Sequence, residues 1–219
     1  MTGRDSFEHE KQEIHELLLK MGALTEQAIN DAVFALSEQD QALAARVIAG
    51  DDIIDEMQKS IETKCLRMIA LQQPMASDLR FIATGLKIVT DMERVADHAV
   101  DIAEITVRMK DEPLFTKLIN IPRMAEIAKE MLRDALDSYV KRDIVLARHM
   151  CERDDEMDAL YAHLFDSLVE KMSLNPDFVK QGTQLLSVAH YLERVADHAT
   201  NIGEWVIYLV TGEKYETNY

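Results

Sequence analysis

Acidic side chains recur at helical spacing in two parts of the chain. Glu93, Asp97, Asp101 and Glu104 stand four, four and three residues apart; Glu193, Asp197, Asn201 and Glu204 repeat those steps with one amide in place of an acid. At about 100° per residue each set falls within an arc of roughly 80° on a helix. A second pair of acidic stripes precedes them, Asp51 and Asp55 with Glu62 in one half and Asp154 and Asp158 in the other. Carboxylates on one helix facing another acidic helix repel unless protons, arginines or cations neutralise them. Divalent or trivalent metal ions do this directly, because a carboxylate can bridge two ions and each helix supplies several oxygens. Hardness favours iron, manganese, magnesium or calcium, with zinc and nickel also admissible. Two accounts compete with metal: Arg94 and Arg194 salt-bridging the acids between helices, and a simply solvated face. Against the solvated face, Ile82, Leu86, Val89, Val100 and Val107 project at or next to the acids, so the acids border the core-facing stripe.

Other chemistry is sparse. His98 and His198 follow the aspartates Asp97 and Asp197 but project about 100° away from them, which predicts ordinary, partly exposed histidines. No histidine has a glutamate three residues before it, so the Glu-x-x-His pair of di-iron carboxylate oxidases is absent. There is no Gly-rich phosphate loop, no GxSxG and no HExxH. Cys65 and Cys151 are isolated thiols inside helical patterns, read as buried small side chains. The methionines read as core fillers, and Trp205 as a core or interface residue. An acid-only site without a substrate pocket describes binding better than turnover. A helical di-metal carboxylate enzyme and a metal-independent scaffold bundle are the alternatives.

These acids need long helices to align them. The heptapeptide ERVADHA occurs at 93–99 and again at 193–199, the mark of an internal duplication. Six helices follow from apolar spacing and caps. The first starts at Asp5 or Ser6, with Glu8 in a capping box, and runs to about Leu36. Asp40 caps a second, from Gln41 to about Leu71, which Pro74 ends; Ser77 caps a third, to about Lys110. A fourth spans about Pro122 to Lys141, and a fifth, capped by Asp143, runs to about Met172. Asn175 and Pro176 open a sixth, to about Val210. An offset of 103 superposes Asp40, Asp51 and Asp55 on Asp143, Asp154 and Asp158, and an offset of 100 superposes the heptapeptides. The expected fold is all-α, two tandem three-helix bundles, residues 1–112 and 113–219, with the junction in the Pro113-containing stretch from Asp111 to Ile121.

Composition sets the class. A 219-residue chain with 47% hydrophobic and 29% charged residues can bury a sizeable core. Its net charge of −16 opposes nucleic acid and anionic membranes and suits cations or a basic partner. No apolar run approaches the roughly 20 residues of a membrane span, and the polar start lacks a signal-peptide core, so a cytoplasmic protein without membrane insertion is expected.

The doubled three-helix repeat, the stretch Gln73-Pro74-Met75-Ala76-Ser77-Asp78-Leu79-Arg80 and the two blocks beginning Glu93-Arg94-Val95-Ala96-Asp97 and Glu193-Arg194-Val195-Ala196-Asp197 resemble the PhoU family of phosphate-signalling regulators. The resemblance covers about residues 7 to 210. It implies that the family's E(D)xxxD motifs, associated with multinuclear iron or zinc clusters, fall on Glu93, Asp97 and Asp101 and on Glu193, Asp197 and Asn201. Asp51 and Asp55, and Asp154 and Asp158, are the matching second-helix positions, and Asn201 departs from the all-acid pattern. It further implies a non-enzymatic, cytoplasmic, homodimeric negative regulator of phosphate uptake. Such a protein would contact the ATPase subunit of the phosphate ABC transporter and a phosphate sensor histidine kinase when phosphate is plentiful.

Overall fold

The protein is described by a computed structural model covering residues 3–110, 112–118 and 120–215. It is all-helical among these residues: α1 (Gly3–Glu38), α2 (Gln41–Gln72), α3 (Ala76–Arg108), α4 (Asn120–Lys141), α5 (Ile144–Cys151), α6 (Asp154–Leu174), a 3₁₀ turn (Pro176–Phe178) and α7 (Val179–Thr211). The six-helix plan holds with one difference. The expected fifth helix is broken at Glu152 and Arg153, so that α5 and α6 together occupy the place that α2 fills alone.

Local chemistry accounts for most boundaries. The Asp40 carboxylate accepts from the amides of Ala42 and Leu43 at 3.0 and 2.9 Å, and Asp143 from those of Val145 and Leu146 at 2.9 and 3.1 Å, satisfying donors that a helix start leaves bare. Before each cap the chain passes through a left-handed residue, Gln39 (φ 54°) and Arg142 (φ 52°), an uncommon conformation for a side chain of that size and the same in both repeats. Asn175 Oδ1 accepts from the Asp177 amide and Pro176 opens a 3₁₀ turn, so the expected cap serves this turn, and α7 follows from Val179 without a side-chain cap. Two further caps differ from expectation. Asp5 and Ser6 already lie within α1, so neither is an N-cap, and Ser77 lies inside α3, whose N-cap is Met75 without a side-chain bond. Of the predicted junction, Asp111 and Ile119 lie outside the described residues.

Helices α1, α2 and α3 pack on one another, as do α4, α5/α6 and α7, and the two sets meet along α3 against α7 and α1 against α4. The 103-residue offset carries buried positions onto buried positions, Leu18, Met21, Ala32 and Leu36 onto Ile121, Met124, Ala135 and Tyr139. Contacts between the sets are reciprocal. Glu26 pairs with Arg133, and the exchanged positions, Lys129 and Asn30, are joined by an Nζ to Oδ1 bond of 3.0 Å. The ring of His98 stacks on Tyr191 at 5.5 Å, and the exchanged positions, His198 and Asp91, meet with Nδ1 2.9 Å from Oδ1. At the centre His98 faces His198, ring centroids 5.7 Å apart. The halves are therefore related by an approximate twofold axis through this histidine pair. Trp205 is an interface residue, edge-on to Tyr208 with the Lys87 ammonium of α3 5.7 Å from its ring.

Candidate functional site

Helix α2 presents Asp51 and Asp55 to α3, and α3 presents Glu93 and Asp97 back. The four are close enough that their charges act on one another: burial first, then Asp97, Asp55 and Asp52, push Asp51 above the usual carboxylate range. Burial, followed by Asp97, does the same for Glu93. In the second repeat Asp154 and Asp158 on α6 face Glu193 and Asp197 on α7. Asp154 is only 8% exposed, and burial, then the charges of Asp197, Asp158 and Glu193, push it up to about 6. Asp158 moves the same way, through burial and Asp197. The shifted carboxyls of each cluster keep a proton more readily than a free carboxylate would, first because burial disfavours their charge and then because neighbouring carboxylates repel it.

Neutralisation within the clusters is incomplete. Arg94 Nη1 donates to Asp97 Oδ2 at 3.0 Å and Arg194 Nη1 to Asp197 Oδ2 at 2.6 Å. Both pairs run along their own helix rather than between helices. Lys59 Nζ lies 3.7 Å from Asp55 Oδ2, and His190 Nδ1 lies 2.9 Å from Glu193 Oε2. Among the described residues the buried oxygens Asp51 Oδ1, Glu93 Oε2 and Asp154 Oδ1 have no hydrogen-bond partner, although Arg94 Nε stands 3.5 Å from Glu93 Oε2. Orphaned buried oxygens are uncommon in folded proteins and are expected to be satisfied by water or an ion. An all-oxygen donor set suits a hard cation. Among the described residues, however, no three histidine, cysteine, aspartate or glutamate side chains converge tightly enough to hold a metal ion as they stand.

Two of the ten sequence-designated positions leave the clusters. Asp101 Oδ2 lies 3.4 Å from His98 Nδ1, and Asn201 Nδ2 donates to Asp91 Oδ1 at 3.3 Å. Eight residues beyond Glu93 or Glu193 the helix has turned by roughly 80° and risen about 12 Å, enough to carry the third member of each ladder from the second-helix face to the seam between α3 and α7. Glu93, Asp97, Asp51 and Asp55 remain together, as do Glu193, Asp197, Asp154 and Asp158.

The PhoU domain profile matches this chain twice, over residues 18–106 and 121–206. The chain belongs to the PhoU family. The phosphate-specific transport system accessory protein PhoU homolog of Clostridium acetobutylicum is 46% identical over 98% of this chain and 99% of that protein. The homolog of the same name from Aquifex aeolicus is 43% identical over 93% and 92%. The crystal structure of PhoU from Pseudomonas aeruginosa superposes with a TM-score of 0.91 at 35% identity, covering 94% of this chain and all of that one. The phosphate transport system regulatory protein PhoU from Streptococcus pneumoniae gives 0.90 at 30%, covering 96% of this chain and all of that one.

Within this PhoU fold one of the two histidines differs from expectation. His198 is buried, at 9% exposure, and His98 is half-buried; burial pulls His98 below the ordinary imidazole range. Their direction off the helix was legible, but the seam that covers them depends on how the repeats pair, which spacing within one helix does not encode. Cys65 and Cys151 are buried as expected, and burial pushes both thiols up to about 12. Among the described residues no helix is long and apolar enough to cross a membrane.

Proposed function

We propose that this chain is a non-enzymatic, cytoplasmic negative regulator of phosphate uptake and phosphate-starvation signalling, which binds metal ions at its two acidic clusters and acts by protein contact. The observation that carries the metal reading is the pair of clusters in equivalent places, each holding a buried carboxylate oxygen with no hydrogen-bond partner among the described residues. Asp51, Asp55, Glu93 and Asp97 would hold one site and Asp154, Asp158, Glu193 and Asp197 the other, with Asp101 and Asn201 at the margin. Bound cations, iron or zinc by family resemblance, would neutralise the acids and tie α2 to α3 and α6 to α7. The partners proposed are the ATPase subunit of the phosphate ABC transporter, the sensor histidine kinase and a second copy of the chain. Regulation by contact requires the bound surface to differ in affinity for two states of its target.

The alternative, a metal-independent scaffold, has in its favour that among the described residues no three histidine, cysteine, aspartate or glutamate side chains converge. Elemental analysis of protein purified without chelator or affinity metal, with melting before and after EDTA, separates the two. The metal reading predicts stoichiometric metal and a melting temperature that falls on chelation. Asp97→Ala with Asp197→Ala is expected to lower metal content and weaken repression of phosphate-starvation genes. Wild-type metal and wild-type repression in that double variant would refute the proposal.

A further inference from the structure

The two repeats differ beside their acidic clusters. In the second, Arg153 lies in the break between α5 and α6 and reaches to α4, with Nη2 2.6 Å from Glu130 Oε2 and Nη1 3.8 Å from Asp134 Oδ2. Its side chain is only 20% exposed. The position 103 residues earlier is Gly50, and those matching Glu130 and Asp134 are Gln27 and Asp31. Where the second repeat has a guanidinium, the first has a cleft of about 260 Å³ between α1, α2 and α3. A Cβ built on Gly50 meets nothing within 4 Å.

The chemistry of the empty place matches what fills its counterpart. Its walls are apolar, among them Leu24, Val47 and Ile54, and would lie along the methylenes of an arginine. Asp31 supplies a carboxylate, and Gln27 a side-chain amide that already donates to its Oδ1 at 2.7 Å. The cleft's own cation, Arg46, stands exposed in its lining, with no carboxylate within 4 Å among the described residues. A planar fork of N–H donors on an apolar stem suits such a place better than the point charge of lysine.

We propose that the cleft over Gly50 is a docking site for an arginine side chain presented by a partner protein, occupying the place that Arg153 fills from within in the second repeat. That the bearer is a protein rests on the regulatory reading above; the cleft's preference for arginine does not.

The test is a titration of the isotope-labelled, EDTA-treated chain with Nα-acetyl-arginine amide, followed by amide chemical shifts, with the acetyl-lysine and acetyl-norleucine amides as comparisons. Shifts of Gly50, Gln27 and Asp31 with the arginine compound alone are expected. Gly50→Arg should abolish them and raise the melting temperature, Asp31→Asn should weaken them, and Arg46→Ala should preserve them. Arg153→Gly should lower the melting temperature, with the arginine compound restoring part of the loss and shifting residues around Glu130. Absent shifts, equal responses to lysine or norleucine, or a lowered melting temperature in Gly50→Arg would overturn the proposal. In cells, Gly50→Arg is expected to relieve repression with metal content unchanged, which sets this site apart from the acidic clusters. Unaltered repression would overturn occupancy by a regulatory partner while leaving the metal reading intact.

Discussion

The acidic clusters of the two repeats have the same four positions and different surroundings. In the first repeat α2 runs unbroken past Asp51 and Asp55, with open space over Gly50. In the second the rod is interrupted immediately before Asp154, Arg153 is fastened to α4, and Asp154 lies deeper and is pushed up to about 6. Arg153 stands immediately before Asp154 with its own side chain only 20% exposed. Better packing around a carboxylate raises the energy of its charged form, so the more finished repeat holds the more strained acid.

Arg153→Gly attacks this difference most directly. It removes a charge-assisted pair and leaves Glu130 and Asp134 without their cation. Loss of about 2 kcal/mol is expected, seen as a melting temperature lower by roughly 4–8 °C for a domain of this size. An unchanged melting curve would mean that the fork contributes nothing.

Asp154→Asn should act in the opposite sense on metal-free protein. The folded-state pKa of Asp154 is raised from 3.8 to about 6. Its contribution to stability is therefore fully present below about pH 4 and lost as pH rises through about 6. At pH 7.5 the variant is expected to be more stable than the parent by on the order of 2 kcal/mol, with a flatter profile between pH 4 and 6. Asp51→Asn should change the same profile less. Equal effects at the two positions would erase the asymmetry.

Gly203→Ala probes why the second repeat tolerates its broken rod. A Cβ there would overlap Met150 Cε and meet Cys151 Sγ at 3.1 Å, whereas the matching position in α3 is already Ala103. Overpacking is expected to destabilise by about 1 kcal/mol in denaturant melts. The smallest effect belongs to Arg94→Met. Its pair with Asp97 is exposed and within one helix, so metal-free stability should move by at most about 0.5 kcal/mol, and a larger loss would revive arginine as the agent that neutralises the cluster.

Helix periodicity and caps were enough to read the six-helix plan and eight of the ten positions that face one another in the clusters. These features are local: the Asp40 and Asp143 caps act within three residues, and the Glu93–Asp97 and Glu193–Asp197 spacings within one turn. What sequence reading missed is set by packing between helices. Glu152 and Arg153 carry no breaker residue, and the interruption there accompanies a contact from Arg153 to α4 more than twenty residues earlier. Asp101 and Asn201 lie within the roughly 80° arc of their ladders, but how much of that arc the second helix covers is set by packing, and the burial of His198 depends on the opposite repeat. Gly50 against Arg153 was visible in the 103-residue alignment, but its meaning required the cleft over Gly50, which only the packing of α1, α2 and α3 creates.

The approximate twofold axis through His98 and His198 makes this single chain equivalent to a symmetric dimer whose subunits have been joined end to end. In a true homodimer every substitution appears twice, so an arginine gained at one seam is gained at both, and a residue on the axis meets its own copy. Fusion removes that obligation. Tyr191 and Asp91, or Arg153 and Gly50, can diverge while the contacts around them stay reciprocal. Such a chain can keep one half closed as a frame and leave the other open for a visitor, a division of labour forbidden to a dimer of identical halves.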